Sequence, residues 1–415
     1  MKLTILILML FTAVNVTAQT EHKRYIAKAK EMCPQADITE IEMKSGYVEI
    51  EYLCDEQLVE IGLGLNAEWL YTETKTEIQP DVWAKISKKL EKKYADWSVD
   101  EFALVEMPDT SFYKVELIQD GVEENAYFAL DGKYYHKKYL VTDEKWTSAY
   151  LSQSASYKNA PYNFLKPDKV YDMPDLLKEI SGIAYADENT LYCVQDELGI
   201  VFKYDTGKEH LSGMFRFTDL GDFEDLAIVK DEVFVLRSDG TLFCFNHRNF
   251  DGKISQVVVP VNCLNVEGLE YNPSDNQLYL ACKDQVINDL SQSRVIFSTT
   301  PENLSEPEIA LTILPDEINR VLALQYPEAP VSRLQVYPSA IAIHPKTSEK
   351  YVLSAASRLI AIYKNEKLIN VFPLPSELYY KPEGLAFTPN GDLYLSSEGI
   401  KNGYIDGQIY FFARK

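Results

Sequence analysis

The chain is poor in histidine and short of positive charge. Five His occur in 415 residues, none in an HExxH run, and no two of the six Cys stand in a CxxC spacing. Zinc sites of the familiar kinds need such ligand pairs, so a zinc enzyme of those kinds is not expected. Lys and Arg number 41 against 63 Asp and Glu, a formal net charge of −22. A surface that negative repels phosphate backbones and anionic head groups, which argues against nucleic-acid or membrane-surface binding as the main task. No GxSxG elbow is present, and no run of about 18–20 apolar residues follows the first stretch, so no integral membrane segment is expected once that stretch is removed. What the chain does have is 46% apolar residues, enough for packed cores, and a length that suits two to four domains.

The first stretch reads MKLTILILMLFTAVNVTAQT. Lys2 gives a positive end, Leu3–Val14 an apolar run, and Val16-Thr17-Ala18 the small residues of a cleavage site. Residues 1–18 are therefore expected to be a signal peptide, and the remainder a periplasmic or secreted protein. No Cys follows the cut, so no lipid anchor is expected. That compartment permits disulfides. Six Cys allow fifteen pairings, and spacing does not choose among them. Cys33 and Cys54 share one region and are a candidate pair. Cys193, Cys244 and Cys282 lie in strand-like stretches and read as buried free thiols.

Residues 19–140 read as a small α+β domain. His22–Met32 has a helical pattern that stops at Cys33-Pro34. Tyr47–Leu53 alternates, with Val48, Ile50 and Tyr52 on one face and Glu49 and Glu51 on the other, as a half-buried strand does. Pro80-Asp81 opens a helix whose Val82, Ile86, Leu90 and Tyr94 form one stripe, while Lys85, Lys88, Lys89, Lys92 and Lys93 make a solvated face. Asp131-Gly132 marks a hairpin turn. Gly62–Ala67 fits GxGxxA, but a dinucleotide loop must lead into a helix, and Glu68–Thr72 alternates like a strand. The cofactor reading is rejected. This half resembles the PepSY-like, β-lactamase-inhibitor-like secreted domains in Gly46–Ile50, Ala67–Leu70, Pro80–Tyr94 and Phe128–Lys133. The resemblance implies a binding or inhibitory module without catalytic residues.

Residues 141–174, rich in Ser, Tyr, Asn, Lys and Pro, read as a linker and lead-in. Beyond them one phrase recurs: Ile180–Tyr185, Phe223–Ile228, Val266–Tyr271, Pro338–Ile343 and Pro382–Phe387. Its second position falls at 181, 224, 267, 339 and 383, steps of 43, 43, 72 and 44 residues. Each phrase is followed by a turn and a second strand. Units of about 40–45 residues with several short strands are propeller blades. The expected fold is mainly β: a propeller over 175–415, with five blades and a sixth as the alternative, behind the small α+β domain. The long step implies an insertion within Pro301–Tyr337 that holds a helix at Asp316–Leu324 and covers part of one face. The phrases, with Gly221–Ala227 and Pro338–Pro345 among them, resemble the SdiA-regulated (YjiK-like) family from about Pro161 onward. That resemblance implies a propeller distantly related to NHL-repeat proteins, with a bound calcium in structural examples and no established reaction.

The recurring second position is Glu224, Glu267 and Glu383 in three blades, and Ser181 and Ser339 in the others. Equivalent positions of radial repeats sit at one height around the channel, so three converging carboxylates need a cation, protons or donors to balance them. Hard oxygen ligands suit calcium. Asp196, Glu197, Asp239, Asp284 and Glu398 follow the next strands as a second set, broken at Ala355-Ala356. The expected metal ligands are Glu224, Glu267, Glu383, Asp196, Glu197 and Glu398. The competing expectation is that each Glu accepts backbone N–H bonds from the adjacent blade and locks the ring. The expected function is an exported calcium-bearing binding or scaffold protein with an unidentified envelope or extracellular protein as partner. The alternative is a calcium-dependent hydrolase of lactonase-like or phosphoesterase type. No shared His position marks a catalytic layer, since His210, His247 and His344 fall at different points of the repeat.

Overall fold

The computed structural model describes residues 23–44, 47–64, 66–108, 110–119, 121–135, 146–248, 252–284, 293–327, 334–399 and 406–415. The expected leader lies outside them. The chain divides into two compact units between His136 and Lys137.

The first unit is one seven-stranded antiparallel meander with two helices. Helix α1 (23–32) precedes β1 (Asp37–Lys44), β2 (Tyr47–Cys54), β3 (Gln57–Gly64) and β4 (Trp69–Lys75). Helix α2 (Pro80–Lys93) precedes β5 (Ser98–Met107), β6 (Thr110–Gln119) and β7 (Val122–Ala129). Directly paired residues share a face of a sheet, and the row Tyr52–Val59–Thr74–Leu104–Tyr113–Phe128 crosses β2 to β7 without a break. On that face Tyr25 and Ala29 of α1 pack with Val48, Ile50, Ile61 and Leu63, while Ile86 and Leu90 of α2 pack with Val115, Leu117, Ala126 and Phe128. The unit is thus two helix-plus-meander halves sharing one sheet. Gly62 and Gly64 end a strand that turns into β4, not a helix. Cys33 and Cys54 are disulfide-bonded, tying α1 to the end of β2.

The second unit is a five-bladed β-propeller, each blade a four-stranded antiparallel sheet. The innermost strands are Ile180–Asp187, Phe223–Val229, Val266–Asn272, Ala340–Ile343 and Lys381–Phe387. Ring closure comes from the lead-in: Lys169–Asp172 pairs with Gln408–Phe412 as the outer strand of blade 5. The five inner strands approach closely at the third position of the phrase. A Cβ on Gly182 would stand 2.4 Å from Asp225 Cα in blade 2, and one on Gly384 would stand 2.6 Å from the Ser181 carbonyl oxygen in blade 1. Glycine there is required by contact between strands.

Three expectations are corrected. The described part of the expected linker, 146–172, belongs to the propeller: Trp146, Leu151, Tyr157, Tyr162 and Phe164 are buried in the core shared with blades 4 and 5. Its tyrosines bury their rings and donate their hydroxyls to backbone carbonyls, Tyr157 to Pro373 and Tyr162 to Gly391, the latter at 2.6 Å. Such a strap has no apolar periodicity to read. The insertion is shorter than expected, because Asn303–Ile313 is the regular fourth strand of blade 3. Its helix, Pro315–Gln325, buries Ile318 and Leu322 and bonds through Gln325 to Asn370 in the outer strand of blade 4, so it lies on the rim and not over the channel. Finally, Cys282 is bonded to Cys263, which stands just before the inner strand that pairs Val266 with Cys282. Cys193 and Cys244 are buried free thiols.

Candidate functional site

Every inner strand of the ring starts at one end of the channel, and every second strand finishes there. This antiparallel return brings the phrase's second position beside the residues that close the next strand. Lys381 at the start of blade 5 stands directly opposite Glu398. Glu383, two residues on, is the extra residue of a bulge between Pro382 and Gly384. The Lys381 ammonium lies 3.0 Å from a Glu383 oxygen and 2.8 Å from a Glu398 oxygen. In blade 3 the Lys283 ammonium is ion-paired with Glu267. The lysines are half-exposed while the Glu267, Glu383 and Glu398 side chains are only 8%, 14% and 11% exposed, so each cation caps a carboxylate set deeper in the mouth.

The electrostatics show how tightly these groups are grouped. Burial pushes Glu224 well above the usual carboxylate range, and the negative charges of Glu267, Asp222 and Glu383 add to that. Burial and Glu383 also raise Glu267, against the pull of Lys283 and Lys381. Burial, with Glu383 and Asp196, raises Glu398 to about 7, with Lys381 opposing. The carboxylates in turn raise Lys283 and Lys381 above the ordinary lysine value despite their burial. Glu224, Glu267, Glu383 and Glu398 therefore form one interacting group, with Asp196 near Glu398. Glu197 is exposed in a turn whose amide is held by Gln195. Asp239 is gripped by Arg237 at 2.8 and 3.1 Å, which holds its carboxyl down at about 2.

Beside this group is a cavity of about 280 Å³ lined by Glu267, Glu383, Lys283, Lys381 and Arg358, with Tyr337 and Tyr380 on its wall. Arg358 is anchored by its Nε–H, which donates to the Tyr380 carbonyl at 2.9 Å. Sequence reasoning found the acids and missed these cations. The signal available was the Lys381-Pro-Glu383 run itself, two opposite charges two residues apart.

Among the described residues no three Asp, Glu, His or Cys side chains are placed to hold a metal ion. Glu267, Glu383 and Glu398 of the expected ligand set are each ion-paired with one of the two ammonium groups. These glutamates do not lock the blades. Asp225 does so, accepting the Leu269 N–H of blade 3 at 2.7 Å, as does Glu270, accepting the Ile343 N–H of blade 4 at 3.3 Å.

No protein-family model and no curated protein sequence matches the chain. Among solved structures it is similar to a BLIP-like protein from Bacteroides fragilis, at 26% identity over 30% of this chain and 91% of that one, with a TM-score of 0.23. It is also similar to a chain of a nidogen/laminin complex, at 13% identity over 52% of this chain and 72% of that one, with a TM-score of 0.35. A third similarity is to a streptogramin B lyase, at 11% identity over 91% of this chain and 97% of that one, with a TM-score of 0.32.

Proposed function

We propose that the protein is an exported binding protein in which the charged mouth of the propeller holds a dipolar ligand or partner segment. One observation carries this: the mouth is a cavity of about 280 Å³ in which both signs of charge are already matched. A ligand with one ammonium and one carboxylate, such as a free amino acid or a peptide terminus, can exchange those internal pairs for its own. Its ammonium would meet Glu267 or Glu383, and its carboxylate Lys283, Lys381 or Arg358. A ligand of single charge would leave one internal partner stranded, so the mouth selects against it. Export is part of the proposal; the leader-like first stretch and two disulfides, both uncommon in reducing compartments, support it. So are the SdiA-regulated-like reading of the propeller and the PepSY-like reading of the first unit, which rest on the motifs quoted above. Calorimetric titration with amino acids and dipeptides, beside amines and acids of the same size, tests the site. Saturable heat for the dipolar compounds, lost in Lys381→Met, supports it; equal response to all four classes overturns it.

A second reading is favoured by one feature. Burial pushes Glu398 up to about 7 beside Lys381 of the cavity wall, a range in which a carboxyl can serve as general acid or base at neutral pH. Hydrolysis of lactone, phosphoester or peptide substrates that Glu398→Gln abolishes would establish it.

A further inference from the structure

The opposite end of the channel has a different chemistry. A cavity of about 290 Å³ lies there, and all five inner strands contribute to its wall, which places it on the ring axis. The fifth position of the repeated phrase is alanine in four blades, Ala184, Ala227, Ala342 and Ala386, of which Ala184, Ala227 and Ala386 line the cavity. In blade 3 that position is Glu270. Around it stand Ile228, Ile343, Tyr185, Tyr271 and Phe387, with Asn272, Ser274 and Thr388 as the polar neighbours, and among the described residues no Lys, Arg or His lines it.

A carboxylate replacing a methyl group in such a ring is costly, since burial without a cation disfavours its charge. The burden shows in its titration, which burial pushes up to about 8 against the backbone N–H bonds it accepts from Ile343 and Tyr271. The interblade bond to Ile343 is a long one, at 3.3 Å, and the four other blades carry alanine at this position. The bond to Ile343 locks one junction, but among the described lining residues no cation balances the charge. A cationic guest would.

We propose that this axial cavity binds a small organic ammonium ion, an alkyl or aralkyl amine whose ammonium meets Glu270 and whose apolar stem lies against Ile228 and Ile343. The rings of Tyr185, Tyr271 and Phe387 complete the environment, because aromatic faces attract a desolvated cation. This site is independent of the charged mouth at the other end.

The test titrates the full chain with hexylamine, and with hexanol and hexanoate as controls of the same stem, followed by calorimetry and thermal shift. Hexylamine is expected to bind at least about tenfold more tightly than hexanol, the contribution of one charge-assisted hydrogen bond. Glu270→Gln is expected to abolish that preference, and Lys381→Met to leave it unchanged. Equal binding of amine and alcohol by the wild-type protein, no binding of either up to about 10 mM, or an unaltered preference in Glu270→Gln would overturn the proposal. The wild-type comparison stands whether or not the variant folds. Loss of the preference in Lys381→Met would assign it to the charged mouth instead and equally overturn it.

Discussion

Replacing Lys381 by methionine keeps the stem and removes the charge that bridges Glu383 and Glu398. Both carboxylates are left in a mouth where their side chains are 14% and 11% exposed. Breaking a fully buried ion pair by removing one partner costs about 3–5 kcal/mol. The Lys381 side chain is 49% exposed, so solvent screens part of the interaction, and about 2 kcal/mol is the expected loss at pH 8. The loss must depend on pH. Glu398 has a folded-state pKa of about 7, raised from the ordinary 4.5, so its ionisation costs the folded state stability as pH rises from about 4.5 through 7. At pH 5 it carries a proton, and removing the lysine should then cost under about 1 kcal/mol. For a unit of this size 1 kcal/mol moves the melting temperature by about 2–4 °C. Lys381→Met is therefore expected to lower the propeller transition by about 4–8 °C at pH 8 and by about 2 °C or less at pH 5, followed by calorimetry. Adding Glu398→Gln should recover about half of the loss at pH 8. An equal drop at both pH values would refute the reasoning, because it would mean that the variant loses packing and not a counter-charge.

Three further outcomes follow from the same geometry. Glu224→Gln should leave the melting temperature at pH 6 within about 1 °C of wild type, since the folded protein already holds that carboxyl protonated; a large drop in thermal melts would show that it is ionised and paired. Gly182→Ala forces a Cβ to 2.4 Å from Asp225 Cα and should cost about 1–3 kcal/mol or more, read as a lower urea midpoint, with an unchanged midpoint counting against the close ring. A fragment covering 146–415 should unfold cooperatively, whereas one beginning at 175 lacks the closing strand Lys169–Asp172 and the strap and should not; a sharp calorimetric transition in the shorter fragment would contradict the closure described here.

Much of this architecture was legible because repeats expose themselves. The phrase at 181, 224, 267, 339 and 383 gave the blades. In three of its five copies Gly stands where the inner strands touch. What sequence hid was whatever depends on closure in space. Lys169–Asp172 is only four residues long, and its partner, Gln408–Phe412, lies some 240 positions away. The strap before it buries tyrosines whose hydroxyls find carbonyls, so a stretch that looks polar is core. Cys263 sits outside any strand-like pattern, so nothing in its neighbourhood pointed to Cys282. At the channel mouth the glutamates stood out through repetition. Lys283 and Lys381 do not recur from blade to blade, so repetition alone pointed to the acids and not to the cations beside them.

Calcium titration of metal-free wild-type protein at pH 8, followed by the melting temperature of the propeller, tests the account most directly. Sites of extracellular type, with Kd of about 10⁻⁴–10⁻³ M, would add about 1.5–3 kcal/mol at about 10 mM calcium. With Lys283 and Lys381 already holding the carboxylates, the predicted melting temperature is the same with and without calcium. A rise of several degrees that Glu267→Gln abolishes would contradict the account and make the mouth a calcium site.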